Sequence, residues 1–379
     1  MDREDSNVQG GESPKANNLV RRATPAATPV PRSEPVPLGK VSPDFLKRAI
    51  LPKLGARRPG VVVGPAAGTD CGAVDLGAGR VLAMTTDPFF VVPPYGWDRA
   101  AWFAVHILAS DFTTCGLAPE WMSVDLNLPA GTPDSDIEAL WDAVHRHCEA
   151  LGIAVVTGHT GRYDGCNYPM VGGATLLGTG PRSALKSPKL AQAGDALIIT
   201  KGPAIEACAL MAASFRDRVA GHLGEQVAHA GDALFRQMST VAEARLALET
   251  CPEGVRAMHD ATEGGVLGAV AEMAEAAGLG VDLDLDSLPW APGVRELCAH
   301  FGMDPLAAIS EGTLLIVCAP EEASAVVSAL NAARIQAAQV GTLQASGQLR
   351  CSQGGQSRPL VHPRIDPFWA AFARASEAA

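Results

Sequence analysis

The chain has 379 residues, of which 47% are hydrophobic and 19% are charged, and its formal net charge is −11. This length allows about two domains, and the apolar content excludes a chain that is disordered throughout. An acidic protein without a stripe of Lys and Arg cannot neutralise a phosphate backbone, which excludes nonspecific binding of nucleic acid.

The nine cysteines are scattered along the chain and form no C-x-x-C pair. This pattern predicts reduced thiols and a cytoplasmic location, and it argues against a disulfide framework or a zinc site. No apolar run approaches the roughly 18 residues of a membrane span, so no membrane association is expected. Residues 1–40 are rich in Pro, Ala and Ser, with few large apolar residues, and are predicted to form a disordered tail.

The first half of the remaining chain alternates between helical and extended patterns. A short helix near 43–54 precedes a glycine-rich stretch at 61–79. Apolar spacing then predicts a strand at 80–86 that ends at Asp87, a helix at 98–115, a strand at 122–128, a helix from Asp134 to Gly152, and strands at 153–157 and 171–177. The strand at 122–128 has the period of two that is expected of a sheet with one buried face.

A polar break at 181–194 marks the predicted domain boundary, because a new strand begins at Ala196. Beyond it the pattern predicts helices from Pro203 to about Glu249, a helix at 263–277, strands at 281–285 and 313–318, a helix from Glu321, and a strand near 335–340. This alternation indicates an α/β or α+β fold. The predicted organisation is an N-terminal domain at 41–183, a C-terminal domain at 184–352 and a C-terminal tail at 353–379.

Three aspartates occur at predicted turns or element ends within about forty residues: Asp70, Asp87 and Asp111. Carboxylates collected from separate elements suit Mg²⁺, which binds a few carboxylates together with water and phosphate oxygens. The structural alternative is that each aspartate caps a helix or a turn, which is the common role of a single Asp.

Two glycine-containing segments are further candidates for a binding site. Gly158-His159-Thr160-Gly161-Arg162 follows the predicted strand at 153–157, where His159 could bond a phosphate or accept a proton. A plain turn with a surface histidine fits the spacing equally well.

The second segment, His259-Asp260-Ala261-Thr262-Glu263-Gly264-Gly265, opens a predicted helix whose free N–H groups would attract an anion. Capping by Asp260 or Thr262 is the structural alternative. The turn Ser310-Glu311-Gly312-Thr313 is a weaker candidate. The chain contains neither a G-x-x-x-x-G-K-[ST] loop nor a dinucleotide-binding fingerprint.

Five motifs in order carry a resemblance to a known family. They are Thr69-Asp70-Cys71-Gly72-Ala73-Val74, Thr85-Thr86-Asp87, Ser110-Asp111 with Gly116-Leu117-Ala118-Pro119, Gly158-His159-Thr160, and His259 to Gly265. Together they resemble the aminoimidazole ribonucleotide synthetase (PurM-like) superfamily, and the branch they match best is that of the hydrogenase-maturation protein HypE. The resemblance covers residues 45–345.

The resemblance implies a two-domain PurM-like fold, a homodimer formed through the N-terminal sheets, and Mg²⁺–ATP bound in a cleft. It implies Asp70, Asp87 and Asp111 as metal ligands, and His159, His259 and Asp260 as catalytic residues. The nucleotide-binding residues that it implies are Gly68, Asp70, Thr86, Asp87, Asp111, Gly158, Thr160, Thr262, Glu263 and Gly264. The implied chemistry is phosphorylation of an amide or carbonyl oxygen of a small molecule or of a protein tail.

The chain departs from the HypE branch at its end. HypE ends in a Pro-Arg-Ile-Cys-like tail whose cysteine carries the carbamoyl group, whereas this chain has Pro363-Arg364-Ile365-Asp366 and continues to Ala379. The favoured interpretation is therefore a HypE-like enzyme with a different acceptor. The alternatives are a kinase of the thiamine-monophosphate type, which would release a phosphorylated product, and a nucleotide-binding regulator without turnover.

Overall fold

Two β-sheets with helices packed on them form the protein, as described by a computed structural model for residues 38–377. The predicted disorder of residues 1–40 falls outside the described residues except for its last three. Within 38–377, no helix combines the length and the hydropathy that crossing a bilayer requires. The α/β fold class and the two-sheet architecture predicted from the sequence are confirmed.

The first sheet contains six strands in the order β1-β2-β3-β6-β4-β5, with only β4 and β5 parallel to each other. Its strands are β1 (Val61–Val63), β2 (Gly72–Gly77), β3 (Arg80–Phe90), β4 (Trp121–Pro129), β5 (Ala154–Tyr163) and β6 (Met170–Pro181). The helices of this half are α1 (Pro43–Phe45), followed by a π-helical turn at Leu46–Ile50, α2 (Trp97–Thr113) and α3 (Asp134–Leu151).

One face of this sheet is covered and the other is open. Met122, Val124, Leu126 and Leu128 of β4 are buried against α2 and α3, while the alternate residues of the strand are more exposed. Alternation of this kind places every second side chain in the core. The predicted strand at 122–128 and the helix that ends at Gly152 are confirmed, and Gly152 takes the left-handed conformation (φ +74°) that closes a helix.

The second sheet contains seven strands in the order β13-β12-β9-β11-β7-β10-β8. They are β7 (Ala196–Thr200), β8 (Val255–Ala261), β9 (Gly280–Asp284), β10 (Thr313–Cys318), β11 (Ala337–Gln344), β12 (Leu349–Gln353) and β13 (Gln356–Pro359). The helices are α4 (Ile205–Ser214), α5 (Arg216–Leu223), α6 (Glu225–Leu234), α7 (Val241–Thr250), α8 (Gly265–Ala277), α9 (Val294–Phe301), α10 (Ala323–Ala332) and α11 (Pro367–Glu377).

Helices cover both faces of the second sheet. Leu315 and Val317 of β10 pack on the side of α8, and Leu314 and Ile316 pack on the side of α7 and α10. A strand buried on both faces reads as a continuous apolar run, which is why the sequence located β10 at its observed bounds. Helix α2 belongs to both halves, because Trp102 joins the core of the second half.

Candidate active site

Three of the residues singled out in the sequence meet in a buried acidic cluster. Ligand atoms of Asp70, His259 and Asp260 all lie within 4.8 Å of one another. Asp70 is in the loop before β2, and the other two residues are near the end of β8. His259 and Asp260 are 4% and 0% exposed, so the chain pays the desolvation cost of polar groups here.

A glycine allows the loop that carries Asp70 to lie on α8. Gly68 has φ +71°, and a Cβ atom at this position would lie 2.5 Å from the carbonyl oxygen of Glu272. Any side chain would push the loop, and Asp70 with it, away from α8. Gly68 is therefore needed for the path of the backbone in this loop. Its predicted contact with a nucleotide stays a prediction.

Within the described residues, no backbone or cationic group donates a hydrogen bond to the carboxylate of Asp260, although the positive charges of His259 and Lys40 are close enough to stabilise it. Neither of its oxygens is in hydrogen-bond geometry with a donor, and one oxygen of Glu311, itself 1% exposed, is in the same position. Burial and the neighbouring Asp70 raise the pKa of Asp260 to about 7. Burial and Asp260 raise the pKa of Glu311 well above its usual range, so the two groups can share a proton.

Asp87 and Asp111 lie close enough to this cluster for its charges to change their pKa values. Burial raises the pKa of Asp111 well above its ordinary value, and the charges of Asp260, Asp87 and Asp70 raise it further. The pKa of Asp87 is raised by burial and by Asp70. Neither residue belongs to the set of atoms within 4.8 Å. The role of Asp70, Asp87 and Asp111 as joint metal ligands therefore stays a prediction.

The position of Asp87 differs from the one predicted. The strand was expected to end before Asp87, but β3 continues to Phe90, and Asp87 pairs with Ala174 of β6 inside the sheet. Its side chain is therefore held by a regular strand and not by a turn. Neighbouring Thr86, predicted to bind nucleotide, is exposed and bonds to the carbonyl oxygen of Ala174.

His259 is fixed between two carboxylates. Its Nδ1 lies 2.8 Å from Asp70 Oδ1, and its Nε2 lies 3.3 Å from Glu272 Oε2. Burial lowers the pKa of His259, but Asp70 and Glu272 outweigh burial and hold the pKa well above its usual range. Because both ring nitrogens are engaged, His259 positions Asp70 in this structure. Its predicted catalytic role remains a prediction.

Sequence reasoning missed Glu272 and His362. His362 Nε2 lies 3.1 Å from Glu272 Oε1, which extends the chain of charges from Asp70 through His259. The one local signal was an acidic residue within the mainly apolar helix α8, between the buried residues Ala271 and Met273. His362 lies in the segment that was predicted to be a C-terminal tail.

The N-terminus of α8 is already capped by the protein. Gly264 N donates to Asp366 Oδ2 at 2.9 Å, and Gly265 N donates to the carbonyl oxygen of Thr262 at 3.0 Å. The expectation of free N–H groups that attract an anion is therefore wrong for these two groups. Capping was the alternative, but the cap is the distant Asp366, and not Asp260 or the Thr262 side chain.

Lys40 brings a positive charge to the acidic cleft, the region around Asp70, Asp87, Asp111 and Asp260. Its Nζ lies 2.8 Å from Thr262 Oγ1, and its backbone N–H bonds to Glu263. Desolvation lowers the pKa of Lys40, but the charges of Asp111 and Asp87 outweigh it and hold the pKa above its usual range. Lys40 was assigned to the disordered tail, and only long-range contact reveals its position.

The segment at His159 lies away from the cluster within one chain. Strand β5 extends to Tyr163, so Gly158, His159 and Thr160 are not the turn that the sequence predicted. Strands β4 and β6 lie between β5 and β3, so the distance between β5 and β3 is about 14 Å. His159 is exposed and lies 2.6 Å from the hydroxyl of Tyr163.

Fold and site together define a two-domain α/β enzyme with a buried acidic cleft. The family model described as AIR synthase related protein, N-terminal domain, matches residues 68–179, and the one described as AIR synthase related protein, C-terminal domain, matches residues 192–352. The chain belongs to the AIR synthase related family, which confirms the resemblance read from the motifs.

By sequence and by structure, the chain is similar to proteins named HypE. The chain is 29% identical over 272 residues to carbamoyl dehydratase HypE of Rhizobium leguminosarum bv. viciae, which covers 70% of this chain and 73% of the relative. The crystal structure of HypE from E. coli superposes with a TM-score of 0.64 at 25% identity, covering 76% of this chain and 87% of that one. A structure of HypE in complex with ATP has a TM-score of 0.61 at 20% identity and covers 86% and 94%.

Proposed function

We propose that the protein binds Mg²⁺–ATP in the acidic cleft and phosphorylates an amide or carbonyl oxygen of a substrate. The observation that carries this proposal is Asp260, a fully buried carboxylate with two unpartnered oxygens among other acidic groups. Buried charge without a donor is costly, and a hard divalent cation that prefers oxygen ligands offsets this cost. The relative named HypE in complex with ATP supports the choice of nucleotide.

The residues that would hold the metal are Asp260, Asp70, Asp87 and Asp111. When bound, Mg²⁺ would neutralise phosphate oxygens as charge develops on them. His259 keeps Asp70 oriented through the bond between His259 Nδ1 and Asp70 Oδ1. Lys40 holds a second positive charge at Thr262, on the side of the cleft formed by the start of α8. Positioning of this kind supplies most of the catalysis in phosphoryl transfer.

We propose that the acceptor is not the segment around Asp366. Asp366 stands where the HypE branch has its cysteine, and its oxygens accept from Gly264 N and Phe368 N, both at 2.9 Å. Helix α11 follows directly and buries Phe368 in the core. A tail that is held at both points does not deliver a reacting group, so we propose that the acceptor is a free metabolite or a segment of another protein.

The test of this function is turnover of ATP by the purified chain. We expect ADP to form with Mg²⁺ when a panel of small amides and carboxylic acids is supplied, and no ADP to form with EDTA. Asp87→Asn should lower kcat/KM by roughly 100-fold, while Asp282→Asn, at an exposed position of β9, should not. Absence of ATP binding, or an unchanged Asp87→Asn enzyme, would refute the proposal. Tight binding without ADP would favour the regulator.

We also propose that the protein is a homodimer formed through the open face and edge of the first sheet. Trp121, Val156 and Met170 are exposed there, at 36%, 58% and 58%. Exposed apolar side chains grouped on one sheet indicate an interaction surface. Light scattering should give twice the chain mass of 39.2 kDa. Val156→Glu should shift the mass to that of a monomer, and a monomeric wild type would contradict this proposal.

A further inference from the structure

A cavity lies apart from the acidic cleft. It has a volume of about 760 Å³ and is lined by α2, the start of α7, the end of β7 and the turn between α10 and β11. None of the acidic residues of the candidate active site lines it. A volume of this size accommodates a small organic ligand.

The walls of this cavity are basic, although the chain as a whole is acidic. Lys201, Arg236, Arg245 and Arg334 line it, and Glu243 is its one acidic side chain. In a chain with a net charge of −11, this local excess of positive charge points to an anionic ligand.

Three of the four basic residues have partners within the protein. Lys201 Nζ is bonded to the carbonyl oxygens of Gln237 and Ser239 and pairs with Glu243, so it holds the wall together. Arg236 pairs with Asp98 at 2.8 Å, and Arg245 makes an exposed contact with Glu249 at 3.4 Å. Within residues 38–377, no carboxylate lies within ion-pair distance of Arg334, which leaves its guanidinium available to a ligand.

The start of α7 adds backbone donors to the same wall. Val241, Ala242 and Glu243 form its first turn and line the cavity, and no side chain caps this end of the ten-residue helix. The first N–H groups of a helix have no acceptor within the helix, and they favour phosphate and similar anions.

The backbone is also unusual at two positions of the wall. Lys201 and Arg334 have φ of +57° and +65°, a backbone conformation that residues other than glycine rarely adopt. Strained residues of this kind persist where the surrounding structure holds them, and they cluster at ligand sites.

We propose that this cavity binds a phosphorylated small molecule, with the phosphate group held by Arg334, by Arg245 and by the first turn of α7. The site is separate from the nucleotide cleft of the proposed function. Helix α2 connects the two, because it carries Trp102 and His106 on the cavity wall and Asp111 near its C-terminal end.

Pyrophosphate titrated by calorimetry in EDTA and low salt tests this proposal. Without a divalent metal the acidic cleft repels the probe, so binding with a Kd below ~1 mM would report the basic cavity. Arg334→Gly removes the guanidinium while keeping a residue suited to positive φ, so we expect an intact fold and affinity about tenfold weaker.

Two variants serve as controls. Arg374→Ala removes an exposed arginine of α11 that does not line the cavity, and Asp282→Asn alters an exposed position of β9 outside both sites. Both should bind pyrophosphate as the wild type does. No binding by the wild type, or equal binding by Arg334→Gly, would overturn the proposal. A result on Asp87→Asn turnover leaves this measurement unaffected, so the two proposals can fail separately.

Discussion

Replacing Asp260 with asparagine is expected to lower Mg²⁺-dependent ATP turnover by about 10²–10³-fold. The carboxylate is fully buried and accepts no hydrogen bond from a backbone or cationic donor, so asparagine removes the proposed metal ligand while its amide can still donate to Glu311, with which Asp260 can share a proton. Metal-free Asp260→Asn should keep its fold. Calorimetric Mg²⁺–ATP binding and steady-state turnover measure the effect, with Asp282→Asn as the matched control. A variant that retains both activities would contradict the role of Asp260.

The same substitution should change how stability depends on pH. Because burial raises the pKa of Asp260 from 3.8 to about 7 in the folded chain, its contribution to stability is fully present below about pH 4 and is lost progressively as pH rises from there to about 7. The metal-free wild type should therefore lose roughly 3 °C in Tm between pH 5 and pH 7, measured in EDTA. Asp260→Asn should lose less over this range, and saturating Mg²⁺ should flatten the wild-type profile. Equal slopes for both chains in EDTA would contradict this cause.

The second large effect is expected at Asp366. Alanine at this position would leave the N–H groups of Gly264 and Phe368 without their acceptor and would free the start of α11. A buried donor left unpaired costs about 1–3 kcal/mol, so two of them should lower the free energy of unfolding by roughly 3 kcal/mol or more. Denaturant unfolding measures this loss.

Position 366 also offers a matched control. Asp366→Asn keeps one acceptor oxygen and should lose about half as much stability as Asp366→Ala. Asp304→Ala removes another aspartate that accepts from a backbone N–H, that of Leu306, but on an exposed turn, and it should lose less than 1 kcal/mol. If Asp366→Ala were as stable as the wild type, the tail would not be held at this point and could reach the cleft.

The sequence located elements whose signal is local. Strand β10 is six consecutive apolar or small residues after the turn at Gly312, and both its bounds were predicted. Helix α3 begins at Asp134 and ends before Gly152, as its spacing indicated. In each case the residues that decide the structure are neighbours in the chain.

The errors arose where distant residues decide. Gly158 was predicted to be a turn residue, but it lies inside β5. A Cβ atom there would lie 2.5 Å from the carbonyl oxygen of Val124, so the close approach of β4 and β5 requires a glycine. Helix α11 was missed, although Phe368, Ala371 and Ala375 have helical spacing and are buried.

The candidate site was predicted in part. Asp70, His259 and Asp260 were identified and meet, but the partners that fix them could not be read from the chain. Glu272 reaches His259 through the packing of α8 on β8, and Asp366 reaches Gly264 across 102 residues. Lys40 likewise contacts Thr262 across 222 residues. Such pairs follow from the tertiary fold alone.

Anomalous scattering from Mn²⁺, in crystals grown with a non-hydrolysable ATP analogue, would locate the metal directly. We expect one peak about 2.1 Å from a carboxylate oxygen of Asp260, with Asp70, Asp87 or Asp111 as a further ligand and the triphosphate in contact with the ion. A peak elsewhere, or a nucleotide whose phosphates lie away from these carboxylates, would contradict the assignment of the acidic cleft as the metal–nucleotide site.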